Sequence, residues 1–181
     1  MKNKNSVYLV APISDETVVA TIATMEEMMR EGTHRIKLYI ASPGGSVSAG
    51  LALCDFIRSA PCKITAIAMG CVASMAAIIF LCCDEKIMLK NSTLMLHDIL
   101  IGTPSTPIIK AETQFEYSKK LKAKIVDIMS ERTKLSADKI EDIFVRDIYI
   151  DAIDAKKLGM CDHIKEYKDD KYKKDKEGDT S

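Results

Sequence analysis

Short apolar runs and longer stretches of helical spacing alternate along the chain. The short runs predict strands at residues 7–10, 36–41, 64–69, 86–89, 93–96 and 160–164. The helical spacing, with its capping and stop residues, predicts helices at residues 14–32, 47–59, 75–82, 111–132, 136–144 and 151–159. Strands that alternate with helices favour a parallel sheet with right-handed crossovers. The pattern therefore predicts an α/β fold.

One stretch, residues 64–83, carries no charge and is as long as a membrane span. It has two interpretations, a transmembrane helix or a buried strand that leads through a turn into a buried helix. Gly70 and Ser74 lie inside it, and neither flank has the aromatic belt of a membrane interface. We therefore interpret it as a strand, a turn and a core helix, and expect no membrane partner.

The domain organisation predicted from the sequence is simple. Residues 1–164 are expected to form a single domain, because no fixed-period repeat and no linker interrupts the pattern. Gly102, Pro104 and Pro107 predict an extended loop before the long helix at residues 111–132. Residues 165–181 are rich in charge and contain no large aliphatic side chain, so we expect a flexible C-terminal tail.

Composition narrows the function classes. The chain has 181 residues, 29% charged and 47% hydrophobic, which is typical of a globular domain rather than a disordered segment or a membrane bundle. Lysine and arginine number 26, and aspartate and glutamate also number 26. A protein that binds nucleic acid through phosphate contacts normally shows a basic excess. We therefore expect no nucleic-acid partner.

Six cysteines lie in apolar runs of the chain, where a thiol packs as a small hydrophobic group. No C-x-x-C pair occurs among them, so the sequence offers no support for a metal site of the zinc-knuckle kind. Residues 1–14 contain only a short apolar run and make a poor signal peptide. These features predict a reduced, cytoplasmic protein.

The second predicted strand runs into a glycine-rich turn, Ser42-Pro43-Gly44-Gly45. Two adjacent glycines allow a sharp turn that leaves backbone N–H groups pointing outward, where they could bind an oxyanion. A phosphate-binding loop would need a lysine after the glycines, and none follows. A plain strand-to-helix turn is the remaining interpretation, and this segment alone does not exclude it.

Ser74 lies where a buried strand meets a buried helix. The N-terminus of a helix favours negative charge, which suits a nucleophilic oxygen and the oxyanion that follows its attack. The alternative is that Ser74 only caps the helix. Residue 77 is alanine, so the capping-box pattern is incomplete, and the G-x-S-x-G elbow is also absent.

A nucleophilic serine needs a base, and the sequence contains three histidines. His34 lies in a charged loop and His163 lies near the C-terminus, whereas His97 ends an apolar strand. Ligands bind at the carboxyl ends of parallel strands, so His97 has the best position for a general base. Four aspartates could orient it, and spacing does not choose among Asp98, Asp147, Asp151 and Asp154.

Together these residues resemble the ClpP family of self-compartmentalising serine proteases. The matching segments are Ser42-Pro43-Gly44-Gly45 with Ala49-Gly50, Gly70-x-x-Ala73-Ser74-Met75-Ala76, Met95-Leu96-His97, and Arg146-Asp147-x-x-x-Asp151-Ala152-x-x-Ala155-x-x-x-Gly159. Their order agrees with the family over most of residues 6–164. The resemblance implies the fold of ClpP and the related crotonases, a spiral of β-β-α units with a parallel sheet and a protruding helical handle, here at about residues 99–132.

The resemblance also implies roles for individual residues. Ser74 would be the nucleophile, His97 the general base and Asp147 the acid that orients the base. The amides of Gly45 and Met75 would form the oxyanion hole. Ser46 and Leu100 would belong to the segments that bind an extended peptide. The implied activity is hydrolysis of unfolded polypeptides inside a homo-oligomeric chamber, one heptameric ring or two stacked rings, without a metal or other cofactor.

Three features depart from the family pattern. Only residues 1–5 precede the first predicted strand, where members that dock an AAA+ unfoldase carry a segment that forms axial loops, so docking of such an unfoldase is left open. Asp98-Ile99 replaces the usual Gln-Pro after the histidine, and Val145 replaces an acid beside Arg146. Because of these departures, we retain a second hypothesis, that the chain is a non-catalytic ring subunit or scaffold. A third is a crotonase-like acyl-CoA enzyme that uses the paired amides without Ser74.

Overall fold

The computed structural model describes residues 5–99 and 108–166. In these two ranges the helices and strands occur in the order β1 Ser6–Leu9, α1 Asp15–Arg30, β2 Arg35–Ile40, α2 Val47–Ser59, β3 Lys63–Ala68, β4 Cys71–Ala73, α3 Met75–Cys82, β5 Glu85–Leu89, β6 Thr93–Leu96, α4 Ile108–Arg132, α5 Ala137–Phe144, β7 Ile148–Asp151, α6 Ala152–Lys157 and β8 His163–Lys165. The predicted α/β class is confirmed.

Five strands form the main sheet, in the order β1-β2-β3-β5-β8, and every neighbouring pair is parallel. The buried positions of the inner strands are mostly aliphatic, as expected where helices cover a parallel sheet. Helix α1 begins with a complete capping box between Ser14 and Thr17. The parallel sheet predicted from the alternation of strands and helices is thus confirmed.

A second, smaller sheet was not predicted. It has the order β4-β6-β7, with β4 and β6 parallel and β6 and β7 antiparallel. Residues 71–73, which we expected in a loop, form β4, and residues 148–151 form β7. The segments β3-β4-α3 and β5-β6-α4 are therefore β-β-α units, and each places one strand in the main sheet and one in the small sheet.

The uncharged stretch of residues 64–83 is a strand and a helix of the core. It forms β3, β4 and α3, and all eight residues of α3 are buried. Packing on all sides explains why this helix has no polar face. Within the described ranges, no helix combines the length and the apolar character that a membrane crossing requires.

Helix α4 lies in the segment predicted as the handle, and it begins at Ile108 rather than at residue 111. Its C-terminal half packs into the core through Leu121, Ile125 and Met129. Its N-terminal half exposes Phe115 and Tyr117. The predicted loop at residues 100–107, which includes Leu100, and most of the predicted tail, residues 167–181, lie outside the described residues.

Candidate active site

Ser74 occupies a strained turn between β4 and α3. Its φ is 54°, and no other non-glycine residue in the described ranges has a positive φ. The strand pairing fixes this conformation, because the backbone N–H of Ser74 donates to the carbonyl of Met95 at 2.7 Å. The Ser74 side chain makes no capping hydrogen bond to α3. A simple N-cap role for Ser74 is therefore wrong, and the hydroxyl remains available for another task.

The glycine-rich turn packs directly against Ser74. A Cβ atom on Gly44 would lie 2.7 Å from the Cβ of Ser74 and 3.1 Å from the backbone nitrogen of Met75. The buried Ser42 holds the turn, since its hydroxyl donates to the carbonyl of Ala11 at 2.7 Å and accepts from the N–H of Gly44 at 3.2 Å. Only a residue without a side chain fits this approach.

Two backbone amides of this region are candidates for an oxyanion hole. Met75 is the first residue of α3, where N–H groups have no partner within the helix. Gly45 sits between two hydrogen bonds that anchor the turn to Ile13, one from the N–H of Ile13 to Gly44 and one from the N–H of Ser46 to Ile13. Neither candidate N–H donates to another described backbone or side-chain group. Both residues line the same cavity as Ser74.

His97 lines that cavity as well. The cavity has a volume of about 300 Å³, and its walls come from the glycine-rich turn, the start of α3, the end of β6 and the helices α4 and α5. The other two histidines lie elsewhere, since His34 is exposed and Nε2 of His163 is 3.7 Å from a carboxylate oxygen of Glu85. The structure thus brings His97, and neither of the others, to the cavity that contains Ser74.

Three of the four aspartates that could orient His97 are engaged with other groups. The carboxylate of Asp98 pairs with Lys122 at 2.9 Å. Asp151 caps α6, and Asp154 pairs with Lys157 at 2.7 Å. The carboxylate of Asp147 is exposed and has no hydrogen bond or ion pair with another described residue.

His97 and Asp147 each lie one residue beyond the pairing of β6 with β7. The last antiparallel pair is Leu96 and Ile148, and continuing that register by one residue would set His97 opposite Asp147. The two side chains are nevertheless not hydrogen bonded, and Asp147 is not among the described residues that line the cavity. Instead, Nδ1 of His97 lies 2.5 Å from the carbonyl oxygen of Asp98.

The contact with Asp98 selects one tautomer of the neutral imidazole. A carbonyl oxygen can only accept, so Nδ1 of His97 must donate, and Nε2 is then the unprotonated nitrogen in the neutral ring. That tautomer is the one a general base needs for accepting a proton at Nε2. The structure contains no hydrogen bond between His97 and Ser74, two side chains that both lie in the described ranges.

Of the two predicted peptide-binding residues, Ser46 lies within the described ranges. Ser46 follows Gly45 and caps α2, because its hydroxyl accepts from the N–H of Ala49 at 3.3 Å. It also lies 3.2 Å from the hydroxyl of Ser48. Leu100 lies outside the described residues.

The sequence did not point to the residues that form the far wall of the cavity. These are Lys122, Ile125 and Phe144, which come from α4 and α5. Lys122 is one of several lysines in α4, and nothing local distinguishes it from its exposed neighbours. Although burial by itself lowers the pKa of Lys122, hydrogen bonds with Asp98 and Glu141 outweigh it, so the net pKa is raised and the side chain stays charged.

The charged groups at this end of the cavity pair with one another, and the remaining wall is largely apolar. In the part of the chain that the structure describes, no three histidine, cysteine, aspartate or glutamate side chains are grouped as metal ligands would be. The arrangement joins a serine hydroxyl, an imidazole and two unpaired amides in one apolar cleft. That combination can support attack on a carbonyl group.

Comparisons with known proteins point to a family of proteases. A model of one protein family, described as Clp protease, matches residues 1–168. The curated relatives include a protein of Bdellovibrio bacteriovorus named ATP-dependent Clp protease proteolytic subunit. That protein is 32% identical to this chain over 165 residues, an alignment that covers 88% of this chain and 78% of the relative.

Proposed function

This chain belongs to the Clp protease family, and on that premise we propose that it is a serine endopeptidase that hydrolyses peptide bonds of unfolded polypeptides. The observation that carries the proposal is the position of Ser74. Its strained backbone, its hydroxyl without a capping role and its place in a cavity that His97 and two unpaired amides also line fit a nucleophile. A merely structural serine would not require this strain.

The proposed reaction proceeds through an acyl-enzyme. The Ser74 oxygen attacks the scissile carbonyl carbon while Nε2 of His97 accepts the hydroxyl proton. The N–H groups of Gly45 and Met75 donate to the oxyanion that forms. The C–N bond then breaks, and His97 returns the proton to the leaving amine. A water molecule, deprotonated by His97, hydrolyses the ester in the same way and frees Ser74.

Asp147 is the proposed orienting acid. It is the one of the four candidate aspartates whose carboxylate has no partner among the described residues, and continuing the β6–β7 register by one residue would set it opposite His97, which supports the proposal. A carboxylate at Nδ1 stabilises the imidazolium that forms during catalysis better than a neutral carbonyl does. The active arrangement therefore needs Nδ1 of His97 to exchange its Asp98 partner for Asp147.

Peptide binding is proposed to occur along the mouth of the cavity. The segments that contain Ser46 and Leu100 would pair with an extended substrate by strand addition, so that main-chain groups provide most of the affinity. The apolar wall formed by residues such as Ile78, Ile125 and Phe144 would accept one substrate side chain. This binding mode recognises unfolded chains, because a folded protein has no free strand to offer.

We further propose that the active form is a homo-oligomer that encloses the sites in a chamber, as one heptameric ring or two stacked rings, in the cytoplasm. The exposed apolar residues of the handle, among them Phe115 and Tyr117, support an interface that covers them. The relative's name includes ATP dependence, so an AAA+ unfoldase that supplies substrate is a further proposed partner. The triad chemistry itself consumes no ATP and needs no cofactor.

The test is hydrolysis of unfolded casein and of fluorogenic peptides by the full chain and by the Ser74→Ala variant. We expect the variant to lose activity by roughly three orders of magnitude or more, because the acyl-enzyme can no longer form. Native mass spectrometry of both proteins shows whether they form the same oligomer. Equal hydrolysis by the two proteins would refute the proposal.

A second candidate function is a non-catalytic ring subunit. The contact between His97 and the Asp98 carbonyl favours it, because this contact leaves the imidazole without a carboxylate partner. A fluorophosphonate probe separates the two candidates. Stoichiometric labelling of Ser74, located by peptide mass mapping, excludes the non-catalytic subunit, whereas an unlabelled Ser74 in assembled rings supports it.

A further inference from the structure

Three charged side chains connect the end of β6 to the helices α4 and α5. Nζ of Lys122 lies 2.9 Å from a carboxylate oxygen of Asp98 and 3.0 Å from one of Glu141. It also lies 5.4 Å from the ring centre of Phe144, within the range of a cation–π contact. We call Asp98, Lys122 and Glu141 the clasp. Two of its members, Asp98 and Lys122, line the same cavity as Ser74.

The clasp fixes the backbone immediately after His97. One carboxylate oxygen of Asp98 accepts from Lys122, and the other accepts from the N–H of Ile99 at 2.7 Å. With both oxygens engaged, residue 98 has little freedom to rotate. Its carbonyl is thereby held against Nδ1 of His97.

The Asp98 carbonyl is the partner of Nδ1 of His97 in this structure. The β6–β7 pairing ends at Leu96 and Ile148, and continuing it by one residue would set Asp147 opposite His97 as a competing acceptor. We propose that Asp98 and Lys122 are positioning residues that hold His97 away from Asp147, so that release of the clasp aligns the base with its acid. This inference rests on the proposed function, because it concerns the same base.

The ion pairs of the clasp stabilise the observed position of His97 only modestly, so they can break and re-form. The side chain of Lys122 is 27% exposed and those of its two acids are about half exposed, so solvent screens the pairs. Such contacts shift a two-state equilibrium by a modest factor rather than lock it. Loss of Lys122 also leaves Asp98 and Glu141 as neighbouring like charges, which favours their separation.

The experiment measures the rate at which a fluorophosphonate labels Ser74 in the full chain at neutral pH. We expect Lys122→Met and Asp98→Asn each to raise this rate by about fivefold, because both remove the partly exposed ion pair between Asp98 and Lys122. Methionine keeps the apolar stem beside Phe144, and asparagine keeps an acceptor for Ile99. Lys122→Arg, which preserves the charge, should keep the wild-type rate.

Matched controls separate the clasp from a general effect of charge. Lys119→Met removes an exposed lysine of the same helix that pairs with Glu116 at 2.9 Å, and it should leave the rate unchanged. In the double variant Lys122→Met with Asp147→Asn, the gain should disappear, because the carboxylate that the imidazole turns to is missing. A gain that persists in the double variant overturns the proposal, and so does an unchanged or lower rate in folded Lys122→Met.

A second readout does not depend on labelling. An imidazole N–H held by a carboxylate gives a proton resonance far downfield of one held by an amide carbonyl. We expect this signal in Lys122→Met and not in the wild type or the double variant. If no variant reacts with the probe, the proposed function fails, but the downfield signal still tests whether the clasp positions His97. Absence of that signal from a cooperatively folded Lys122→Met variant overturns the positioning role. If Lys122→Met does not fold, Asp98→Asn replaces it in both measurements.

Discussion

Gly44 and Gly32 share a backbone conformation but differ in what surrounds them. Their φ values are +86° and +85°, in the left-handed region that favours glycine. A Cβ atom on Gly44 would lie 2.7 Å from the carbonyl oxygen of Ala73, whereas a Cβ on Gly32 would meet nothing within 4 Å. Alanine substitutions at these two glycines therefore separate the cost of backbone strain from the cost of steric overlap at the site.

We predict that Gly32→Ala costs about 1 kcal/mol of unfolding free energy, from left-handed strain alone. Gly44→Ala should cost a further 1–3 kcal/mol, roughly the price of overpacking, because Ala73 and Ser74 must move. Urea unfolding monitored by circular dichroism measures both. Equal costs would show that the turn has room to relax beside Ser74. Hydrolysis should fall in the Gly44 variant and not in the Gly32 variant.

At the residue scale, the sequence predicted Ser74 and His97 but not the residues that line the cavity from helices α4 and α5. Ser74 was predicted because it lies where a strand meets a helix, and His97 because it ends an apolar strand; the structure brings both to one cavity. Asp147 could not be chosen by spacing and needed the resemblance. The sequence did not indicate the clasp, because only its ion pair with Asp98 distinguishes Lys122 from the other lysines of α4. Asp98 is distant from Lys122 in the chain, so no local pattern predicts that contact.

At the element scale, the two missed strands are short and depend on partners that are distant in sequence. β4 has three residues and lies inside an uncharged run, so no alternation marks it. β7 has four residues and pairs with β6, more than fifty residues earlier in the chain. Their hydrogen bonds, rather than any local pattern, make them strands. The longer elements were predictable because burial of one face imposes a period on the sequence.

The contact between β3 and β5 also carries a pH-dependent interaction. Glu85 is paired with Thr65 in the sheet register, and its carboxylate lies 2.9 Å from Nζ of Lys63. The hydrogen bond from Lys63 lowers the pKa of Glu85, and the hydroxyl of Thr65 adds to the effect. The ionised form therefore stabilises the folded state above the ordinary carboxyl pKa of about 4.3, and this contribution is lost as pH falls through the lowered pKa.

We predict that Glu85→Gln reduces the unfolding free energy at pH 7 and loses less stability than the wild type between about pH 5 and pH 3. Urea titrations across this range measure the difference. Glu116→Gln is the matched control, because Glu116 is exposed on α4, and it should stay within about 0.5 kcal/mol of the wild type throughout. Parallel acid limbs for Glu85→Gln and the wild type would contradict the prediction.

At the scale of the whole molecule, the candidate site lies where the two sheets meet. The main sheet supplies the glycine-rich turn after β2, and the small sheet supplies the ends of β4 and β6. Helices α3, α4 and α5 close the cavity around them. The alternation of elements predicted the layers, but not this junction, because it depends on how each β-β-α unit divides its strands between two sheets.

The six thiols report on the integrity of that core. All six are free, and five are buried while Cys71 is exposed at the start of β4. Burial raises the pKa of the Cys83 thiol, and also that of Cys161, which suppresses the reactive thiolate further. Thiol reactivity in the native protein should therefore come from one position.

We predict that a soluble disulfide reagent modifies one thiol per chain rapidly in the native protein and all six in denaturant. Cys71→Ser should abolish the rapid phase, because the other five react only when the core opens. Because those five belong to different layers, their slow reaction should proceed at a common rate if the domain unfolds as one unit. Intact mass after a timed pulse counts the modified thiols. Two or more rapid modifications in the native chain would show that part of the core opens separately, and a loss of hydrogens in pairs without reductant would show disulfides instead of free thiols.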